Sequence, residues 1–340
     1  MSLQPLATIA ILSIGQMGLG IARLLASHNY PLITNVSDRS PSTQDRAKSA
    51  SITCLASDIE VVKQADYILS IVPPRDAVAT AQRIVDTLNS KDGVNVREKA
   101  GKKEPLYYLD LNAIAPSTAR EIDNLFKKET PSIRFIDGGI IGSPPSPPSS
   151  SSPPSTPWTR PGIPLSGPYP LTDSPIYGSE LAELLNTRFV GTEIGAASGL
   201  KCTFAALSKG FTALSLQSYT TASSLGVLPD LQHYLDIYNP NARQKAERSI
   251  VGCPPKAYRW LEEMRQIGLC FEEDGGWGKE ANVFQGVAGV FGELAEVVEK
   301  RGGTEGMTNV GKVEDAVEIL RKGLKEGRVT KKEINELLGD

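Results

Sequence analysis

The sequence predicts an α/β chain: a doubly wound parallel sheet in the N-terminal part, followed by an all-α C-terminal domain. Three observations carry this. Short apolar runs alternate with helical patterns as far as about residue 192. A glycine turn follows the first of those runs. From residue 193 onward strand signals fade and amphipathic helices take over. A chain of 340 residues has room for two domains, at roughly 150 residues each, and the expected division is 1–192 and 193–340.

The first unit begins at "TIAIL" (Thr8–Leu12), a continuous apolar run of the kind a buried parallel strand shows. "SIGQMGLGIARLLASHNY" then turns on glycines and continues with helical spacing at Ile21, Leu24 and Leu25. The chain becomes extended again at "PLITNVSDRS". Further units follow: "ASITCLA" and "DIEVVKQA"; "DYILSIVPP" and "DAVATAQRIVDTLN"; "LYYLDLNA" and "APSTAREIDNLFKK"; and the strand "IRFIDGGIIG". Repeated βα units imply right-handed crossovers within one sheet. A proline- and serine-rich stretch, residues 144–157, interrupts the pattern and reads as a mobile surface loop, because such residues build no core. "IPLSGP" and "RFVGTEIG" read as later strands, with "SELAELLN" as the helix between them. In the second half, residues 195–226 read as one helix, followed by four amphipathic segments.

Composition narrows the function classes. The net charge of −3 favours neither nucleic acid nor an anionic membrane as partner. No run of 18 apolar residues is present, and the first residues lack the pattern of a signal peptide, so a soluble, cytoplasmic protein is expected. Cys54, Cys202, Cys253 and Cys270 have no metal-type spacing, and His28 and His233 lie far apart, so no metal site is expected.

The glycine turn points to a dinucleotide. Gly15 and Gly18 have the spacing of the second and third glycines of GxGxxG, and Ser13 stands where the first is usual. A side chain at the middle position would keep a pyrophosphate away from the helix N-terminus, where free N–H groups and the dipole attract it. The turn follows a first strand and opens a helix, which is the Rossmann-type context the motif requires. Asp38, twenty residues beyond Gly18, stands where a ribose-binding carboxylate is expected. Arg39 beside it suits a 2′-phosphate, and Ser40, Thr43 and Arg46 offer further donors. NADP(H) is therefore the expected cofactor, with NAD(H) as the alternative.

Six stretches in order, "IGQMGLGIA", "DYILSIVPP", "YLDLNAIAP", "FIDGGIIGSPP", "GAASGLK" and "RWLEEMRQI", resemble the β-hydroxyacid dehydrogenases. That superfamily includes 3-hydroxyisobutyrate, tartronate semialdehyde and 6-phosphogluconate dehydrogenases. Within it the chain is most similar to a 6-phosphogluconate-dehydrogenase-like group common in fungi. The resemblance spans nearly the whole chain and implies a cofactor site at Gly15, Gln16, Met17 and Gly18, covered by the loop of Val72, Pro73 and Pro74. It aligns the family's nicotinamide-side Ser-Thr-x-x-Pro with Asn112, Ala113 and Pro116; Asn112 keeps hydrogen-bonding groups and Ala113 does not. The family's substrate-anchoring segment becomes Asp137–Ser143. Ile141 replaces its serine, and Gly139, Gly142 and Ser143 remain to hold a carboxylate through backbone amides.

Lys201 falls on the catalytic lysine of the resemblance, six residues after Gly195. It would exchange a proton with the substrate oxygen. Its ordinary pKa of about 10.4 is high for a base. A dry helix start, with Ala197, Leu200, Phe204 and Ala205 around it, is expected to lower that value. The family's asparagine four residues on is Ala205 here, and its Lys-x-x-His-Asn pattern is absent, which argues against 6-phosphogluconate as substrate. Glu262 and Glu263 stand where a later Lys-Asp pair is usual, beside Trp260, a further expected substrate contact. Lys209 reads as a secondary charge or an interface residue. These departures point to a bulkier or less polar substrate.

The expected activity is hydride transfer between NADP(H) and a hydroxy acid or related alcohol or carbonyl compound. Two alternatives remain: an imine reductase of the same architecture, whose known members mostly lack the lysine, and an inactive dinucleotide-binding protein. The resemblance also implies a homodimer through the C-terminal helical domain.

Overall fold

A computed structural model of the chain describes residues 6–149, 153, 156–303 and 311–338. Residues 1–5, the start of the stretch that lacks a signal-peptide pattern, lie outside them. The chain divides into two compact units between Cys202 and Thr203.

In the first unit the elements alternate. They are β1 (Ile9–Leu12), α1 (Gln16–Ser27), β2 (Leu32–Thr34), α2 (Pro41–Ser49), β3 (Thr53–Cys54), α3 (Asp58–Gln64), β4 (Tyr67–Ser70), α4 (Ala77–Asn89), α5 (Val96–Lys99), β5 (Tyr107–Asp110), α6 (Pro116–Glu129), β6 (Arg134–Gly138), β7 (Ile163–Ser166), α7 (Gly178–Leu184) and β8 (Thr187–Phe189). They form one sheet of order β3-β2-β1-β4-β5-β6-β7-β8. From β1 the chain winds outward to β3, then crosses back to β4 on the other side of β1. The order reverses between β1 and β4, and ligands of open α/β sheets bind outside the strand carboxyl ends at such a reversal.

The central strands β1, β4 and β5 are buried along their whole length because both faces of the sheet are covered there. Ile9, Ile11, Tyr67, Leu69 and Leu109 belong to one buried cluster. Their alternating neighbours Ala10, Leu12, Ile68 and Tyr108 belong to a second. On the second face the Tyr108 ring lies 4.9 Å from that of Phe126 and 6.3 Å from that of Phe135. Each fully buried aliphatic side chain stabilises the fold by roughly 1.5–3 kcal/mol.

The sheet is not wholly parallel, as the sequence suggested. β6 and β7 pair antiparallel, whereas every other pair is parallel. The proline- and serine-rich segment joins them, and among its described residues no crossover helix returns the chain in the parallel sense. Residues 150–152, 154 and 155 of that segment lie outside the described residues. Its start is not the mobile loop expected. Pro144 and Pro145 pack against Gly20, where an added Cβ would meet both prolines at 3.0 Å. Isolated bridges pair Ile141 with Gly162 and Ser146 with Thr159.

α8 (Ala196–Leu225) is the long helix anticipated from the sequence, at 30 residues. It starts in the first unit and continues into the second, so the first unit extends past the expected boundary at residue 192. The second unit adds α9 (Leu228–Tyr238), α10 (Pro240–Gly252), α11 (Ala257–Glu273), α12 (Val283–Lys300) and α13 (Val313–Leu338). α11 packs along α12, burying Met264, Ile267, Phe291 and Leu294. Among the described residues, no helix is long and apolar enough to cross a membrane.

Candidate active site

The carboxyl ends of β1, β4, β5 and β6 carry most of the residues singled out in the sequence. At the end of β1, Ser13 has a left-handed φ of 78°. A glycine would take this conformation without a Cβ penalty, and a serine holds it under strain of roughly 1–3 kcal/mol. Gly18 has no alternative, because an added Cβ would lie 2.2 Å from the Ser13 carbonyl oxygen. Gly15 differs: its φ is −76° and a Cβ there would meet nothing within 4 Å. Its hydrogen points into open space at the start of α1, which has no side-chain cap. The first amides of such a helix lack intrahelical partners and attract an anion. Gln16 and Met17 form the first turn. The geometry fits a bound pyrophosphate.

Beyond β2 lie Asp38 and Arg39, both exposed, with Nε of Arg39 3.4 Å from Oδ1 of Asp38. Ser40 is the N-cap residue of α2, with Oγ 3.1 Å from Ser42 Oγ and from Thr43 Oγ1. Arg46 has a larger part than the sequence indicated. It donates through Nη2 to Thr43 Oγ1 at 2.8 Å and through Nε to the Ile14 carbonyl at 3.3 Å. It thereby ties this polar cluster to the glycine turn.

At the end of β4, Val72, Pro73 and Pro74 form the expected loop, with Pro73 exposed. Asn112 holds that loop. Its Oδ1 accepts the Val72 N–H at 2.7 Å, and its Nδ2 donates to Ser70 Oγ at 3.1 Å and to Asp110 Oδ2 at 2.8 Å. Both amide hydrogens of Asn112 are thus used inside the protein, so the side chain fixes the loop and has no donor left for a carboxamide. Asp110 is fully buried, and burial pushes its carboxyl up to about 7. The hydrogen bond from the Asn112 backbone N–H pulls that value down, and the nearby Asp137 adds to the rise.

At the end of β6, Gly139 lies against Lys201: an added Cβ would stand 2.9 Å from the lysine Cβ. Lys201 Nζ donates to the Ile140 carbonyl. The amine is therefore held at the sheet's carboxyl edge, and the residue is half-buried. Ala197 and Ala205 are buried, but Leu200 is 43% and Phe204 50% exposed, so the fully apolar surround expected for the lysine is not present. Gly142 has a φ of +126°, and among the described residues neither its amide nor that of exposed Ser143 has a hydrogen-bond partner. The Ile141 amide is used, donating to the Gly162 carbonyl at 2.9 Å.

Asp137 heads the segment that the resemblance assigns to substrate anchoring, but its carboxylate is bonded to the start of α8 and to β7. Its Oδ2 accepts from Gly195 N at 2.9 Å, Ser198 N at 3.2 Å and Ser166 Oγ at 2.9 Å, and its Oδ1 accepts from Ser198 Oγ. Burial raises its carboxyl above the ordinary range, and these four donors oppose that rise. Pro116 opens α6 directly beside the start of α8, 2.9 Å from where a Gly195 Cβ would stand.

Trp260 belongs to the second unit. Its ring meets Phe291 edge-on at 5.2 Å and lies beneath Lys209 Nζ at 5.3 Å. Lys209 pairs with Glu263, both side chains being largely buried, and Glu262 pairs with Arg265 at 3.2 Å. Lys209 is thus the partner of one of the two glutamates noted in the sequence. Among the described residues, no group of three His, Cys, Asp or Glu side chains is placed to hold a metal ion.

Residues 8–146 match the family described as the NAD binding domain of 6-phosphogluconate dehydrogenase. Residues 222–294 match a domain of unknown function, DUF1932. Residues 8–146 thus form an NAD binding domain of the 6-phosphogluconate dehydrogenase type. Solved structures share the fold of this chain. One is MTH1747, a conserved protein of unknown function described as structurally similar to 3-hydroxyacid dehydrogenases. It has 24% identity and a TM-score of 0.56, over 84% of this chain and 96% of that one. Another is 3-hydroxyisobutyrate dehydrogenase of Mycobacterium tuberculosis, with 14% identity and a TM-score of 0.57, over 85% and 94%. A third is a variant imine reductase from Myxococcus stipitatus in complex with NAD+, with 16% identity and a TM-score of 0.51, over 92% and 99%. Among curated proteins, none matches the sequence.

Proposed function

We propose that this protein is an NADP-dependent oxidoreductase of the β-hydroxyacid dehydrogenase type. It acts on a hydroxy acid or a related alcohol or carbonyl compound. One observation carries the reading: the Lys201 amine is seated on the Ile140 carbonyl at the same sheet edge as the glycine turn. A dinucleotide-binding crevice thereby gains a group able to exchange a proton.

Gly15, Gln16, Met17 and Gly18 receive the pyrophosphate, and Val72, Pro73 and Pro74 cover it. Asp38 takes the ribose, while Arg39, Ser40 and Arg46 favour the 2′-phosphate over a bare hydroxyl. Asn112 acts by holding the covering loop. When bound, the nicotinamide supplies or accepts the hydride. Lys201 gives a proton to the substrate oxygen in reduction and takes it back in oxidation. The amides of Gly142 and Ser143, with Gly139 behind them, anchor a carboxylate; Trp260 contributes an apolar surface in the second unit. An imine reductase of the same fold is the second reading, favoured by the likeness to the Myxococcus enzyme. The seated lysine supports the hydroxy-acid reading over it.

We also infer a cytoplasmic homodimer formed through the helical unit. Leu207, Leu214 and Leu225 on α8 and Tyr234 and Tyr238 on α9 are all more than half exposed. Leu225 and Tyr234 also line a groove with Gln217 and Thr221.

The cofactor assignment is tested by titrating the intact protein and Arg39→Ala with NADPH and with NADH. NADPH should bind more tightly. The substitution should weaken NADPH alone by roughly ten- to a hundredfold, since a hydrogen bond to a charged group is worth about 1.5–3 kcal/mol. Equal affinities in the intact protein would overturn NADP, and failure to bind either would overturn the dinucleotide site.

A further inference from the structure

We propose that Asp137, acting through Ser198 and Ser166, is a positioning residue that sets where the Lys201 amine stands. The inference rests on the reading of Lys201 as the proton-transferring group, and it concerns how that group is held.

At the start of α8, Ala196 N donates locally, to the Glu193 carbonyl at 3.3 Å. Its neighbours Gly195, Ala197 and Ser198 send their amides to the sheet. Gly195 N and Ser198 N donate to Asp137 Oδ2, and Ala197 N donates to Ser166 Oγ at 3.0 Å. Ser166 spends its own proton on Asp137 Oδ2 at 2.9 Å. Since all four groups around Asp137 are donors, the pattern is that of an ionised carboxylate. Its negative charge also stands at the positive end of a 30-residue helix.

The spacing connects this clamp to the lysine. Asp137 holds Ser198, and Ile140 holds Lys201; both pairs are 61 residues apart in sequence. The two contacts are thus successive rungs between the same two segments, each three residues after the other. A helix start frays unless its orphan amides are satisfied, and Lys201 lies within the second turn. Gly139 completes the seat, because the lysine stem passes where its side chain would be. With the first rung removed, the first turn loosens and the second rung lets go.

The test is brief acetylation of the full-length protein with acetic anhydride across a pH series, read by mass spectrometry at Lys201. Exposed Lys128 serves as the reference and Lys209 as a control within the second unit. Ser198→Ala removes the hydroxyl donor and leaves the carboxylate. It should raise Lys201 labelling about fivefold relative to Lys128, the size expected for losing one ordinary hydrogen bond. It should also displace the pH profile of that labelling and leave Lys209 unchanged. Asp137→Asn should do the same more strongly; if it does not fold, Ser198→Ala and Ser166→Ala decide alone. Unchanged Lys201 labelling in a less stable Ser198→Ala protein would make Asp137 a plain helix cap and overturn the proposal. An equal rise at Lys209 would mean general loosening and would also overturn it. The labelling needs no cofactor or substrate. Should it respond as expected while Lys201→Ala turns over normally, the positioning stands and the catalytic reading of the lysine falls.

Discussion

Asp110 shows how a single buried carboxyl behaves at this site. Desolvation lifts its pKa from 3.8 to about 7, with a contribution from Asp137 on the neighbouring strand. The unfolded chain releases this proton near the lower value, whereas the folded chain keeps it until the higher one. Between about pH 4 and 7 the folded state therefore binds more protons, and stability falls as pH rises through that window. Comparing urea unfolding of the intact protein with Asp110→Asn isolates the effect. The stability of the intact protein relative to the variant should decline from pH 4 to 7 and then level off; a constant difference would contradict the assignment. The residue matters for the site because it holds Asn112, and Asn112 holds Val72.

At the scale of elements, the glycine turn separates folding from binding. Gly18→Ala places a methyl group on the Ser13 carbonyl and should lower Tm markedly. Gly15→Ala meets nothing, at a φ any residue adopts, and should leave Tm near the original value while abolishing NADPH binding. Paired thermal melts and titrations check this; a Gly15→Ala protein that binds NADPH normally would remove the pyrophosphate from the α1 N-terminus. The same scale shows which elements were legible. β1, β4 and β5 stand out as apolar runs because both sheet faces are covered. α8 was readable from its long run of small and apolar residues. α2 was not, because only Ala47 of its nine residues is buried and no apolar stripe forms. α10 hides for the same reason, with only Ala246 and Ile250 buried. β3 is shorter than "ASITCLA" suggested, and both of its residues are exposed.

For the whole molecule, what sequence reveals about the site follows from how local each residue's role is. Gly15, Gly18 and Lys201 act within a turn or a helix start, so spacing and resemblance find them. Asp137, Ser166 and Arg46 act across the fold. Asp137 and Ser166 meet only because β6 and β7 pair antiparallel, and no local pattern announces that pairing. Arg46 reaches the glycine turn from a helix the sequence did not disclose. The two units then share one long helix, which begins at the sheet edge with the lysine and ends among exposed apolar residues.

The central claim joins the dinucleotide crevice and Lys201 in one reaction. It is tested most directly by following oxidation of NADPH with a panel of carbonyl acids, using the intact protein and Lys201→Ala, with NADPH affinity measured for both. The account predicts that kcat falls by about 10²–10⁴-fold, the usual contribution of a general acid, while NADPH affinity is unchanged. Equal turnover by the two proteins would contradict it.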